Sequence, residues 1–138
     1  MVNSLKENTV LFSFDKLDVY KLARQLVKDV YCLQKKFPHE ERFELGDQIR
    51  RAVTSVTSNI AEGCGRNSYK EKVHFVEIAC GSLFETFSQL QNAQDLGYIS
   101  EHEVEALRAQ FITIGKKLSG LKASYEVQIN DKPLNIQK

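Results

Sequence analysis

The stretch Gln48–Arg66, QIRRAVTSVTSNIAEGCGR, decides the fold. Positions 45, 49, 52, 56, 59 and 63 advance by fours and threes, the spacing of one seam on an amphipathic helix. They hold Leu45, Ile49, Ala52, Val56, Asn59 and Gly63. The last two are out of character for a seam that an ordinary helix fills with large apolar side chains. An amide there finds a hydrogen-bond partner or costs about 1–3 kcal/mol in desolvation. In coiled coils a seam asparagine sets register and partner number. The stretch therefore predicts specified helix–helix assembly rather than chemistry, with the Asn59 amide bonded to a neighbouring helix or subunit.

Outward from this stretch the helical period continues. A first helix runs from about Lys16 to Phe37 and stops at Pro38, which biases the residue before it away from helical geometry. The second spans about Glu41 to Glu62 and ends at Gly63-Cys64-Gly65, glycine being the usual C-terminal stop. The third opens at Ser68, which with Glu71 makes a capping-box pattern, and closes at Gly97. Ser100 and Glu103 repeat the pattern for a fourth helix reaching about Tyr125. No stretch alternates long enough for a strand. The economical architecture is all-α, an antiparallel up-down-up-down four-helix bundle over residues 14–127. A loose N-terminal arm over 1–13 and a flexible, polar C-terminal tail over 128–138 flank it.

The last two helices differ in kind. In the fourth, Val104, Leu107, Phe111, Ile114, Leu118 and Leu121 form an unbroken seam, with glutamates early and lysines late, as the helix dipole favours. In the third, residues including Val73, Phe75, Ile78, Leu83, Phe84 and Phe87 spread over roughly 240° when placed at 100° per position. A helix facing only its own core needs an apolar arc of little more than about 100°. The excess predicts a covering surface, and a second copy of the chain supplies one. Small residues on the second helix (Ala52, Ser55, Ala61) and on the third (Ala79, Gly81, Ser82) favour close approach.

These residues also carry a resemblance. RRAVTSVTSNIAEGCGR, then KEKVHFVEIACGSLFETFSQL and LGYIS, resemble the four-helix-bundle proteins encoded in intervening sequences of bacterial 23S rRNA genes, from about Phe14 to Tyr125. The wording is specific: SNIAEG, a basic residue just after it, and IA-x-GSL on the next helix. Two departures concern a proline that the family often has near Thr57 and a leucine-rich run where this chain has Phe84, Thr86 and Phe87. The first bears on the shape of the second helix, the second on packing. The resemblance implies a homopentamer. A related branch, the accessory variability proteins of diversity-generating retroelements, is a basic pentamer that binds a reverse transcriptase.

Composition excludes several classes. At 138 residues the chain makes one domain with a real core. Nineteen basic and eighteen acidic residues nearly cancel, so bulk charge does not drive nucleic-acid binding, and any contact needs a local patch. No apolar run approaches the roughly 20 residues of a membrane span, and MVNSLKENTVLF does not read as a signal peptide, which predicts a cytoplasmic protein without a membrane partner. Cys32, Cys64 and Cys80 are odd in number and lack C-x-x-C spacing, against a disulfide framework or zinc site. Cys32 and Cys80 read as core or near-core residues, and Cys64 as part of a glycine-flanked loop.

Candidate chemistry is thin. Glu71-x-x-His74 has the spacing of a di-iron bundle site, but that site needs two such motifs and two further glutamates. His74 instead falls on the polar arc of the third helix. GCGRNSYK resembles a phosphate-cradling loop only in its glycines, since the Walker pattern and a preceding strand are absent. No serine has a base at catalytic spacing. We therefore expect no enzyme activity, no cofactor and no metal, and a metal-dependent bundle enzyme stands as the distant alternative. On the first helix Lys21, Arg24, Lys28 and Lys35 fall within about 60° of one another, with Tyr31 at the border. Repeated around an oligomer, this stripe and Arg66 offer a surface to RNA or a ribonucleoprotein. The plain alternative is a solvated face on a purely protein-binding oligomer. Asn59, Glu62, Gly63 and Ser82 are the expected assembly and packing residues.

Overall fold

The computed structural model describes residues 12–130. It is all-α, with four helices: α1 (Asp18–Gln34), α2 (Leu45–Cys64), α3 (Tyr69–Asp95) and α4 (Glu101–Asn130). Short 3-10 turns lie at Ser13–Lys16 and Glu40–Phe43, and there is no strand among the described residues. Most of the expected arm and tail fall outside this range. Where they enter it, Ser13 opens a 3-10 turn and α4 continues past position 127 to Asn130.

Each helix gives one face to a common core. Val19, Ala23, Leu26 and Val30 come from α1, and Ile49, Val53, Val56 and Ile60 from α2. Val76, Ala79, Leu83 and Leu90 of α3 meet Val104, Phe111, Ile114 and Leu118 of α4. Helix α1 packs against α2 and α4, and α3 against the same two, so α1 and α3 stand across the core from each other. No described helix is long and apolar enough to cross a membrane.

The helix ends show what periodicity does not carry. Helix α1 stops at Gln34, short of the expected Phe37. Its last carbonyls accept from Lys35, Lys36 and Phe37 amides in a tightened 3-10 turn that swings Phe37 into the core. Helix α2 begins at Leu45 rather than Glu41, because Glu40–Phe43 winds as a separate 3-10 turn and Glu44 (φ −111°, ψ −96°) breaks the path. Arginines hold this junction. Arg42 donates to the Lys35 carbonyl, while Arg50 donates to the Arg42 carbonyl, to Asp47 and to the side chain of buried Gln34.

At α3 the C-terminal glycine acts as expected. Gly97 has φ +82°, the Tyr98 amide reaches back to the Ala93 carbonyl and the Gly97 amide to Gln94, a Schellman closure. The end of α2 is different. Gly65 is right-handed (φ −85°), and the Gly63 and Cys64 carbonyls accept instead from Lys72 Nζ at 3.4 and 2.8 Å. Both expected N-caps form. At α4 the box is reciprocal, Glu103 N to Ser100 Oγ and Ser100 N to Glu103 Oε1, whereas at α3 only Glu71 N to Ser68 Oγ is made to the backbone.

Candidate nucleic-acid interface and assembly face

The α1 stripe projects as its spacing requires. Val19, Ala23, Leu26, Val30 and Gln34 are buried on one face, and Lys21, Arg24, Lys28 and Lys35 are all exposed on the other. None of these four forms an ion pair among the described residues. The charges that do pair lie on the flanks: Lys36 is tied to Glu103, and Asp18 meets Lys117 at 3.0 Å. The Lys117 ammonium, through its hydrogen bond and its charge, holds the Asp18 carboxyl below its ordinary range, with Lys21 contributing further.

Arg66 does not join the stripe. It sits in the α2–α3 turn, pairs with Glu62 at 3.4 Å, and lays its guanidinium 4.6 Å from the centre of the Phe75 ring. That is a packing role for Arg66 and for Glu62 as its counter-ion. The GCGRNSYK turn encloses a small cluster rather than an anion cradle. Cys64 Sγ lies 3.8 Å from the Tyr125 hydroxyl, the Tyr69 and Tyr125 rings are 5.9 Å apart, and Lys72 stands near both. Burial, reinforced by the neighbouring Cys64, pushes the Tyr125 phenol above its usual range.

The polar seam of α2 faces α3. Asn59 is half-buried, and its amide donates to the Ser55 carbonyl and hydroxyl (2.8 and 2.9 Å) in its own helix, not to a neighbouring one. The link to α3 is made one turn earlier, where Ser55 Oγ and Ser82 Oγ are 2.8 Å apart. Gly63 is buried because α3 crosses there: a Cβ on it would lie 3.1 Å from Phe75 Cβ. Gly63 and Ser82 are thus contacts within the chain.

The broad apolar arc of α3 divides in two. Val76, Ala79, Leu83 and Leu90 enter the core, while Phe84 is left 70 % exposed and Ile78 36 %. Beside Phe84 runs a groove of about 610 Å³ between α3 and α4, walled by Phe87, Phe111, Ile112 and Gly115, with Arg108 and Lys116 at its rim. Arg108 lies 4.9 Å from the Phe87 ring centre and is paired with Glu105. The sequence reading passed over Ile112, which is 48 % exposed, and Arg108; the signal was an α4 stripe at 108, 112, 115 and 119 beside the buried seam. Of the cysteines, Cys32 proves exposed rather than near-core, because position 32 turns outward beside the lysines. Cys80 and Cys64 are half-buried, and desolvation raises the Cys80 thiol. His74 is exposed beside Phe75, and the described residues contain no group of three or more His, Cys, Asp or Glu able to hold a metal ion.

This architecture has relatives. No curated protein matches the chain. A crystal structure of a protein of unknown function from the S23 ribosomal protein family of Bacteroides thetaiotaomicron VPI-5482 is similar in fold. It has a TM-score of 0.69 at 23% identity, covering 75% of this chain and 97% of that one. The family model of 23S rRNA-intervening sequence proteins matches residues 15–120, which hold α1, α2, α3 and the first two thirds of α4. The chain belongs to the family of 23S rRNA-intervening sequence proteins.

Proposed function

We propose that the chain is a non-enzymatic cytoplasmic binding protein, an antiparallel up-down-up-down bundle that assembles with copies of itself. The family resemblance implies a ring of five. The α1 stripe is its surface for RNA or a ribonucleoprotein partner. The alternating direction of the helices is supported by contacts that pair early residues of one with late residues of the next: Asp18 with Lys117 and Asp29 with Gln110, Ser55 with Ser82 and Gln48 with Gln89, Tyr69 with Tyr125 and Glu77 with Lys122.

The observation that carries assembly is Phe84, a large apolar side chain with 70 % of its surface open beside an apolar groove. A contiguous exposed apolar patch of this kind marks a surface that another surface covers. Light scattering on the gel-filtration peak tests it. A mass several times the 15.8 kDa of one chain is expected. A monomer at micromolar concentration would refute it.

The four unpaired cations support the RNA reading. Copies displayed together make weak phosphate contacts additive, and binding should fall steeply with salt. Changing two of Lys21, Arg24, Lys28 and Lys35 to Glu should abolish binding while circular dichroism stays unchanged. An assembled protein with no RNA affinity at low salt would leave the purely protein-binding oligomer.

A further inference from the structure

The α1 stripe contains more than charge. Lys21, Arg24, Lys28, Tyr31 and Lys35 follow a 3-4-3-4 spacing on one exposed face. At 1.5 Å per residue it extends about 21 Å from Lys21 to Lys35. Along the helix axis Tyr31 falls between Lys28 and Lys35, at the border of the arc that the four cations share.

The tyrosines of the chain make Tyr31 stand apart. Tyr20 packs on Phe14 and the core, Tyr98 on Phe37, and Tyr69 and Tyr125 on each other. Tyr31 has no ring partner and no place against the core among the described residues, and it is 38 % exposed. The part of its surface that stays open leaves the ring available for contact from solvent. Flanked by free cations a turn away on both sides, it has the composition of a single-strand platform: phosphates to the cations, a base face to the ring.

A duplex uses only the charged members of this set. Its bases are stacked inside, so it offers phosphates to Arg24, Lys28 and Lys35 but no open base to Tyr31. We propose that Tyr31 is a base-stacking residue and that the α1 stripe takes single-stranded RNA in preference to duplex. This rests on the reading of the stripe as an RNA surface and adds which form of RNA fits it.

The test uses the full chain in its native assembly, a short fluorescein-labelled oligouridylate, and an RNA duplex of equal length, by fluorescence anisotropy at low salt. The single strand should bind more tightly. Tyr31→Phe, which keeps the ring, should bind it as the parent does. Tyr31→Ser should bind it roughly tenfold more weakly, with duplex affinity unchanged. Equal affinity for both RNAs, or a single-strand affinity untouched by Tyr31→Ser, would overturn the stacking role while the stripe stands as a phosphate-binding surface. No affinity for either RNA by the parent would sink the stripe reading and this one with it. Because Tyr31 lies off the core, unchanged circular dichroism is expected of both variants.

Discussion

At position 63 the chain meets a spatial limit that no side chain fits easily. A Cβ there would stand 3.1 Å from Phe75 Cβ and 3.4 Å from the Lys72 carbonyl, both on α3. Gly63→Val adds a branched side chain at this crossing and should destabilise the protein by about 1–3 kcal/mol, measured by urea unfolding. A Cβ at Gly120, in the middle of α4, would have nothing within 4 Å. Gly120→Ala should therefore stabilise by about 0.5–1 kcal/mol, since only backbone entropy changes. Equal effects of the two would show that α2 and α3 are not in close contact at Gly63. These positions also mark how far the sequence is legible at this scale. The seam 49, 52, 56, 59, 63 locates Gly63 and Asn59 on a packing side of the helix without a structure, and the structure shows that this side meets α3. Their partners are not legible. Asn59 turns back to Ser55, and Arg66 folds onto Phe75, because side chains that can reach two surfaces choose between them by geometry that spacing does not encode.

Helices were legible where period and cap agree, and illegible where a distant side chain ends them. Ser100 and Glu103 announce α4 to the residue, and Gly97 closes α3 as its conformation demands. The starts and stops around Pro38 are displaced because Arg42 and Arg50, seven and eight positions from their acceptors, supply the hydrogen bonds that free carbonyls need. The α4 start also joins the turn that follows α1: Glu103 accepts from Lys36 as well as from the Ser100 amide. The Lys36 hydrogen bond, followed by the Ser100 amide, holds the Glu103 carboxyl below its ordinary value of 4.5. A carboxylate with a depressed folded pKa contributes stability that is present above the unfolded value and lost as pH falls through the folded one. Glu103→Gln should therefore be less stable than the parent at neutral pH. The gap should close as the parent is acidified below pH 4.5 toward the lowered value. Ser100→Ala should cost about 1 kcal/mol at neutral pH through the lost cap. Urea midpoints of the three proteins across that pH range read both effects. A Glu103→Gln deficit that persists undiminished at the acid end would mean the latch acts through shape, not charge.

For the whole molecule the question is what covers the α3–α4 face. The 240° arc expected for α3 separates into a buried part and an exposed remainder, and Phe84, the most exposed of its large apolar side chains, sits on the side where Ile112 and the groove of α4 extend it. The sequence could say that α3 has too much apolar surface for one core. It could not say that α4 shares the excess, because Ile112 lies off the heptad seam. If copies of the chain cover this face, unfolding is linked to dissociation and the melting temperature rises with protein concentration. Phe84→Lys places a charge at the centre of the patch without touching the core, since Phe84 points out of it. That variant should elute as a smaller species, and its melting temperature should lose its dependence on concentration. Gly120→Ala, away from the groove lining, should keep the parent's mass and concentration dependence. Calorimetry over a hundredfold range of concentration, with light scattering on the same samples, separates the cases. A parent whose melting temperature is flat with concentration, or a Phe84→Lys protein that retains the parent's mass, would mean that the assembly contact lies elsewhere or that the patch receives a different partner.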